Sequence, residues 1–511
     1  MPDISRILVV TPEITYLPTG MGNLAQRLNA KAGGLADVSA SLVAALDEIE
    51  DVEVHVALPH YRKMFSSTDN IDVVNLVSSE LRAYQAKLPN DRIHLAEDRI
   101  FYYRDEVYSN YAGDVPRVAS AFQREVINNI IPRVRPQLIH CNDWMTGLIP
   151  GAARRLGIPC LFTLHNIHTE KTTLAAVEDA GIDAAAFWSE LFYERPPQSY
   201  EESRDNNRID LLASGIFAAH FINTVSPSFL DEIVDGQHDF IPHQVRSEIA
   251  AKRNAQCAEG ILNAPDASFD PATDNLLRTN YGVDDHVKGK AANKAELQEA
   301  LGLEPNPQAP ILFWPSRLDP VQKGPHLLTD ILFQLISDYD HLGLQIAVVA
   351  NGGFQQYFRD VVGHHGIHSR VSIYDFSEPM SRLGYAGSDF MVMPSSFEPC
   401  GLPQMVSPIY GTLPIVHNTG GLKDTVVPLD VEQSIGNGFR FDVFDSGGLR
   451  WSIDRALEFW QLPGDVRAAQ IRRIMTESKA QFNHAETAQQ YFKIYEKMLK
   501  RPFIRRGTPP S

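Results

Sequence analysis

The sequence predicts an α/β protein built from two Rossmann-like, doubly wound domains. Three observations carry the prediction. Short β-branched runs alternate with longer helical stretches along most of the 511 residues. The runs are continuously apolar, as parallel strands buried on both faces are. The polar residues with chemical character fall directly after the runs, where ligands bind in open α/β sheets.

The strands of the first half are expected at Ile7–Thr11, Val52–Leu58, Leu138–Cys141, Cys160–Leu164 and His220–Val225. Those of the second are expected at Ile311–Pro315, Leu344–Ala350, Arg370–Tyr374, Phe390–Met393 and Leu413–Val416. Between strands helical spacing returns, as in Leu35, Val38, Leu42, Leu46 and Ile49. Pro265, Pro271, Pro305 and Pro307 place the domain boundary within Ala264–Gln308. A final amphipathic helix, Ala485–Lys500, carries Ala488, Tyr491, Tyr495, Met498 and Leu499 on one side. The expected domains are residues 1–263, residues 264–480, a helix over 481–500 that packs back on the first domain, and a tail over 501–511. Tyr16–Ala30 reads as a long loop without periodicity, a kind that is usually functional or mobile.

The formal charge of −17 disfavours nucleic acid and anionic membrane as partners. The one basic cluster without acid, Lys500, Arg501, Arg505 and Arg506, reads as a solvated end. Cys141, Cys160, Cys257 and Cys400 have no short pair spacing, which fits a reducing compartment and offers no metal framework. The apolar run Ile7–Val10 is too short for a signal peptide or a spanning helix, so the expected location is cytoplasmic.

The candidate site residues follow the strands. Lys31-Ala32-Gly33-Gly34-Leu35-Ala36-Asp37-Val38 places two glycines at a helix start. Their N–H groups and the helix dipole suit a phosphate, with a tight turn as the alternative. Asp143 and His165 end two neighbouring runs, and a structural hydrogen bond is the other reading of His165. Asn223-Thr224-Val225-Ser226-Pro227 reads as the cap of the next helix. In the second half, Arg317 and Lys323 have the types and spacing to grip a diphosphate, with a solvent-facing loop as the alternative. Phe397-Glu398-Pro399-Cys400-Gly401-Leu402 and Asn418-Thr419-Gly420-Gly421-Leu422 follow two further strands.

The Lys31–Val38 stretch resembles the Lys-x-Gly-Gly-Leu signature of bacterial glycogen synthases and plant starch synthases. Phe397–Leu402, Tyr410–Val416 and Thr419–Val426 resemble the same family in the same order. The resemblance runs from about Ile7 to Tyr495. It implies a GT-B architecture, two Rossmann-like domains facing across a deep cleft. It implies transfer of glucose from ADP-glucose, as substrate, to the non-reducing end of an α-1,4-glucan with retention, without metal or cofactor. By motif, Lys31, Gly33 and Gly34 approach the donor. Arg317 and Lys323 take the diphosphate, and Gly420 and Gly421 offer it N–H groups beside Thr419. Glu398, Cys400, Gly401 and His165 surround the transferred glucose. Asp37, Asn263 and, on the acceptor side, Asp143 line the cleft, and Phe376 stacks on adenine. Glu398, His165, Lys323 and Arg317 are the expected catalytic set.

There are departures from the family pattern. The segment between Glu13 and Lys31 is about a dozen residues longer than usual and holds Gly20, Gly22, Asn23, Gln26 and Arg27. Ile167-His168-Thr169-Glu170-Lys171 replaces the usual Tyr-Gln-Gly stretch, Asn263-Ala264-Pro265-Asp266 replaces Asn-Gly-Val-Asp, and Met145 stands where His is frequent. These leave two alternatives beside the synthase. One is a related retaining glucosyltransferase using UDP-glucose or a small oligosaccharide or sugar-phosphate acceptor; the other is a degenerate glucan-binding protein. Sucrose-type relatives carry a second Glu eight residues after the first, and Val406 at that position favours the synthase. Oligomeric state is not encoded in any pattern here.

Overall fold

The computed structural model describes residues 4–22, 24–25, 28–61, 92–108 and 114–504. They fall into two compact units. The first draws on Met1–Val225, Leu230–Ile261 and His484–Ser511, the second on Ser226–Phe229 and Leu262–Asn483.

The sheet of the first unit holds β1 (Ser5–Val10), β2 (Val52–Pro59), β3 (Ile93–Ala96), β4 (Leu138–Asn142), β5 (Cys160–Leu164), β8 (Phe221–Thr224) and β9 (Ala258–Gly260). Its order is β3-β2-β1-β4-β5-β8-β9, and every pairing is parallel. A separate antiparallel pair, β6 (Lys171–Thr172) and β7 (Ile209–Asp210), lies outside that sheet. The second unit holds β10 (Ile311–Trp314), β11 (Gln345–Val349), β12 (Val371–Tyr374), β13 (Phe390–Met393), β14 (Leu413–His417) and β15 (Phe439–Phe441). Its order is β12-β11-β10-β13-β14-β15, again parallel throughout. The strand order reverses at β1/β4 and at β10/β13, the switch points beside which doubly wound sheets bind ligands.

The ten expected strands all form. Five described strands are missing from the sequence reading: the two-residue β6 and β7, and β3, β9 and β15, which are short strands at sheet margins. Their polar members (His94, Glu259, Arg440) break the continuous apolar run that marks a central strand.

The stretch Ala264–Gln308 is packed. It contains the helix His286–Leu301, and Leu277, Tyr281, Leu297 and Leu301 join a core of the second unit. That helix escaped the apolar pattern because it buries polar residues. Lys290 is covered, and its ammonium donates to the carbonyls of Ala386 (3.1 Å) and Tyr410 (3.2 Å) and to Thr412 Oγ1 (2.8 Å). Lys294 Nζ lies 2.7 Å from Asp389 Oδ2.

The segment after β1, expected as a loop without periodicity, turns apolar side chains into the core. Leu17, Met21, Leu24, Ala25 and Leu28 are buried in the main core of the first unit. Ile14 and Ala30 exchange backbone hydrogen bonds, and the Leu17 N–H donates to the Ala25 carbonyl. The spacing of Met21, Leu24, Ala25 and Leu28 is in fact that of a helical face, although none of the four is helical in the structure. Asn23, Gln26 and Arg27 lie outside the described residues.

The helix His484–Leu499 belongs to the first unit and lies against Gly34–Asp47. A buried polar chain ties it to the sheet. Thr163 Oγ1 donates to Asn223 Oδ1 (2.5 Å), so His140 Nε2, at 2.6 Å, must be the donor to Thr163. His140 Nδ1 is then an acceptor, and the Tyr495 hydroxyl donates to it at 2.7 Å. Asn223 Nδ2 donates to the Tyr491 hydroxyl at 3.1 Å. Asn223 is therefore part of this chain; the cap of Pro227–Asp235 is Ser226, whose Oγ accepts from the Phe229 N–H. The expected solvated end is also docked in part. Arg501 reaches Asp51 (3.3 Å), the Ile504 N–H donates to Asp51 Oδ1, and Phe503 is buried. Arg505 and Arg506 lie outside the described residues.

Two outcomes test this packing. Leu24→Ala removes a buried side chain from the core and is expected to cost about 2–5 kcal/mol, read by denaturant unfolding; an unchanged midpoint would return the segment to the surface. Burial also pulls the His140 imidazole down to about 3. Between that value and the ordinary one near 6.5 the unfolded chain binds a proton that the folded chain does not. Stability is therefore full above about pH 6.5 and falls with falling pH, by up to about 1.4 kcal/mol per pH unit from this group. His140→Gln should flatten that acid limb.

Candidate active site

In the first unit the functional side chains follow β1, β4 and β5. Glu13, just beyond β1, is buried, and its Oε2 accepts from the N–H groups of Ala32 and Gly33, both at 2.8 Å. The Tyr108 hydroxyl donates to its Oε1 at 2.6 Å. This corrects the sequence reading of the Gly33 N–H as open to a phosphate: an internal carboxylate already holds it. Gly33 is extended, and a Cβ there would meet nothing, so no strain demands glycine; what it leaves is clear space at the start of Gly34–Asp47. Lys31 is likewise not a lone charge, because its ammonium lies 2.8 Å from Asp37 Oδ2.

Asp143 follows β4 with φ +65° and is buried. Asn166 Nδ2 donates to its Oδ2 at 2.8 Å, while Oδ1 has no hydrogen-bond partner. Desolvation, with the Glu13 charge adding to it, pushes this carboxyl up to about 8. At neutral pH it is largely a neutral acid, able to donate as well as accept. His165 follows β5 and is half-buried. Asn142 Nδ2 donates to the Val10 carbonyl, so Asn142 Oδ1 is the acceptor facing His165 Nε2 at 3.0 Å. This fixes the Nε2–H tautomer, and desolvation keeps the ring below its ordinary range and neutral.

In the second unit a buried ion pair joins two loops. Lys323 Nζ lies 2.5 Å from Glu398 Oε2, and Ser395 Oγ donates to the same oxygen at 3.1 Å. The loops are clamped by backbone. Asp319 Oδ1 takes the N–H groups of Val321 and Gln322, and the Ser396 N–H donates to the Gln322 carbonyl. Glycine is required at Gly420, where φ is +45° and a Cβ would fall 1.9 Å from the Glu398 carbonyl oxygen. The Gly421 N–H donates to that same oxygen at 3.0 Å. This N–H, expected to be offered to a diphosphate, is therefore committed to holding Glu398. Thr419 occupies the cap position of Gly420–Thr425.

Cys400 is buried, which pushes its thiol up to about 12 against a hydrogen bond from the Asn263 backbone. Burial thus keeps it in the thiol form. Asn263 is buried too, and its Oδ1 has no partner. Gly401 takes φ +74° in the turn before Pro403–Ile409, which Gln404 Nε2 closes by donating to the Cys400 and Gly401 carbonyls. Arg317, after β10, is exposed. Phe376, after β12, is 47% exposed. Asn351 ties these two loops together: its carbonyl accepts from the Leu318 N–H and its Oδ1 from the Phe376 N–H, both at 2.9 Å. Among the described residues no group of three or more His, Cys, Asp or Glu gathers as metal ligands, and no helix is long and apolar enough to cross a membrane.

Residues 6–244 match the family model described as the starch synthase catalytic domain, and residues 299–473 that of glycosyl transferases group 1. The glycogen synthase of Moorella thermoacetica is 32% identical over 517 aligned residues, covering 97% of each chain. The chain belongs to the glycogen and starch synthase family. A second member, from Exiguobacterium sibiricum, is 32% identical and covers 91% of this chain and 95% of its own. The fold is shared with the catalytic domain of Arabidopsis thaliana starch synthase IV, solved with ADP and acarbose (TM-score 0.75, 23% identity, 98% and 100% coverage). It is shared less closely with a sucrose-phosphate synthase from Thermosynechococcus elongatus (TM-score 0.56, 17% identity, 97% and 99% coverage). The two parallel-sheet units are the Rossmann-like halves of the GT-B type, and this member of the synthase family is a glucosyltransferase.

Sequence reasoning missed Glu13, Asn142, Asn166 and Ser395. Glu13 lies directly beyond β1, so the strand-end rule that picked out Asp143 and His165 would have found it too. The Lys323–Glu398 pair gives the test of this site. Removing one partner of a buried pair strands the other charge, at a cost of about 3–5 kcal/mol. Lys323→Ala should therefore lower the melting temperature as well as the rate, and Lys323→Met with Glu398→Gln should recover most of the stability but none of the activity. Full stability in Lys323→Ala would mean that the pair is not closed in solution.

Proposed function

We propose that the enzyme transfers glucose from ADP-glucose to the non-reducing end of an α-1,4-glucan with retention of configuration. The observation that carries the reading is the Lys323–Glu398 pair, buried at the carboxyl ends of the second sheet beside Gly420. Membership of the synthase family supports the glucan acceptor. The ADP seen in the Arabidopsis structure supports the adenine nucleotide.

In this reading the donor's diphosphate lies against Arg317 and Lys323. Cleavage of the glycosidic bond builds negative charge on the departing ADP and positive charge on the sugar ring. Cations at the first and a carboxylate near the second stabilise the transition state once the donor is bound. An arriving diphosphate draws Lys323 from Glu398, which frees the carboxylate to face the sugar. Thr419, Gly420, Cys400, Gly401 and Asn263 shape the walls of that pocket, and the exposed Phe376 ring offers a face for adenine. On the first unit Lys31, Gly33, Gly34 and Asp37 border the donor. His165 supplies a neutral Nε2–H tautomer held by Asn142, and Asp143 offers its unpartnered Oδ1 to a sugar hydroxyl.

Labelled ADP-glucose and UDP-glucose, each offered with glycogen, with maltooligosaccharides or alone, test the donor and acceptor together. The expected outcome is incorporation into glycogen, fastest from ADP-glucose; faster transfer from UDP-glucose would overturn the nucleotide assignment. Arg317→Ala isolates charge stabilisation, because the side chain is exposed and its loss leaves the fold alone. Turnover should drop by a factor on the order of 10²–10³ at an unchanged melting temperature.

A further inference from the structure

Ser395, just beyond β13, is fully buried. Among the described residues its hydroxyl makes one hydrogen bond, the 3.1 Å donation to Glu398 Oε2. Other groups hold the serine in place. Its carbonyl accepts from His417 Nδ1 at 2.8 Å, and the His417 ring packs against Phe441 and Phe444. The next residue, Ser396, donates its N–H to the Gln322 carbonyl and its hydroxyl to the Val321 carbonyl, both at 2.8 Å. The Ser395 hydroxyl is therefore not what fixes its own loop. Glu398 is used unevenly. Lys323 and Ser395 both bond to Oε2, while Oε1 accepts no hydrogen bond among the described residues. The Gly421 N–H holds the Glu398 carbonyl, which fixes the backbone but leaves the carboxylate free to turn about its side-chain bonds.

We propose that Ser395 is a positioning residue for Glu398, keeping the carboxylate aimed after Lys323 has turned to the donor's diphosphate. The inference rests on the donor-site reading above. Before the donor arrives, an ammonium and a hydroxyl hold Oε2 together. Once Lys323 pairs with phosphate oxygens, Ser395 is the side-chain donor that remains. A carboxylate without it would turn among its rotamers or follow the ammonium toward the phosphates. A hydrogen bond to a charged acceptor is strong and directional enough to remove that freedom. With Oε2 held, Oε1 faces the sugar ring, where positive charge develops as the glycosidic bond breaks. Such alignment matters in the transition state and not in nucleotide binding, so its loss falls on turnover and not on donor affinity.

The test uses the full chain with Ser395→Ala and, as the variant that keeps the hydroxyl, Ser395→Thr. With ADP-glucose and glycogen, Ser395→Ala should lower kcat on the order of ten- to a hundredfold, the effect of losing one hydrogen bond to a charged group. KM for ADP-glucose and the calorimetric Kd for ADP should stay at the wild-type values. Ser395→Thr should recover most of the turnover. Crystal structures of the wild type and of Ser395→Ala, each with ADP bound, read the carboxylate without catalysis. Oε2 should stay on the Ser395 hydroxyl in the wild type and leave that position in the variant. An unchanged kcat in Ser395→Ala would overturn the proposal, whatever its melting temperature. So would a rise in KM at constant kcat, an equal loss of turnover in Ser395→Thr at the wild-type melting temperature, or a carboxylate in the same place in both structures. If the methyl group of Ser395→Thr lowers the melting temperature, the kcat of Ser395→Ala and the two structures decide. Absence of any transfer by the wild type would instead refute the function, and the two structures would still decide the role of Ser395.

Discussion

A parallel sheet covered by helices on both faces has one natural place for polar chemistry, the carboxyl ends of its strands. Most of what distinguishes this molecule follows from that constraint, applied to each unit separately. Glu13, Asp143 and His165 stand beyond β1, β4 and β5; Arg317, Phe376, Glu398 and Gly420 stand beyond β10, β12, β13 and β14. A polar residue buried inside a strand needs partners for its polar groups. His140, Thr163 and Asn223 meet that condition by linking to one another and to two tyrosines of the last helix.

Burial sets the chemistry at those ends as much as residue type does. A single environment makes Asp143 a neutral acid and keeps His165 neutral, because desolvation disfavours the charged form of each. Glu13 and Glu398 each have several hydrogen-bond partners. Glu13 accepts backbone N–H groups and a phenol, while Glu398 has an ammonium and a serine hydroxyl. Much of the polar machinery is thus internally satisfied. A substrate must exchange contacts with it rather than fill vacancies, and this links the stability of the second unit to the groups proposed for catalysis.

The fold class and the strand-end positions of most candidate residues were legible because both depend on local signals: continuous apolar runs, and polar residues directly after them. What was not legible depends on partners distant in sequence. Nothing at Lys323 announces Glu398, 75 positions away. Nothing in Gly421 or Gly33 says that an internal acceptor already holds its N–H. The helix His286–Leu301 hid because it buries lysines and an asparagine against carbonyls instead of leucines against a core. Met21, Leu24, Ala25 and Leu28 did carry a periodic signal, but glycines and a proline around it suggested an open loop.

The first unit takes its last helix from His484–Leu499, after the whole of the second unit in the chain. On the ribosome, where domains form as they emerge, the early strands β4, β5 and β8 are made hundreds of residues before their cover. Until Tyr491 and Tyr495 leave the exit tunnel, His140 Nδ1 and Asn223 Nδ2 lack the two phenols that complete the polar chain, although Thr163 already links the two residues. The second unit, contiguous apart from one short segment, can fold first in time although it is encoded second. Completion of the first unit therefore waits until the chain has been translated past Tyr495, when the helix His484–Leu499 can cover the sheet on which Asp143 and His165 are mounted.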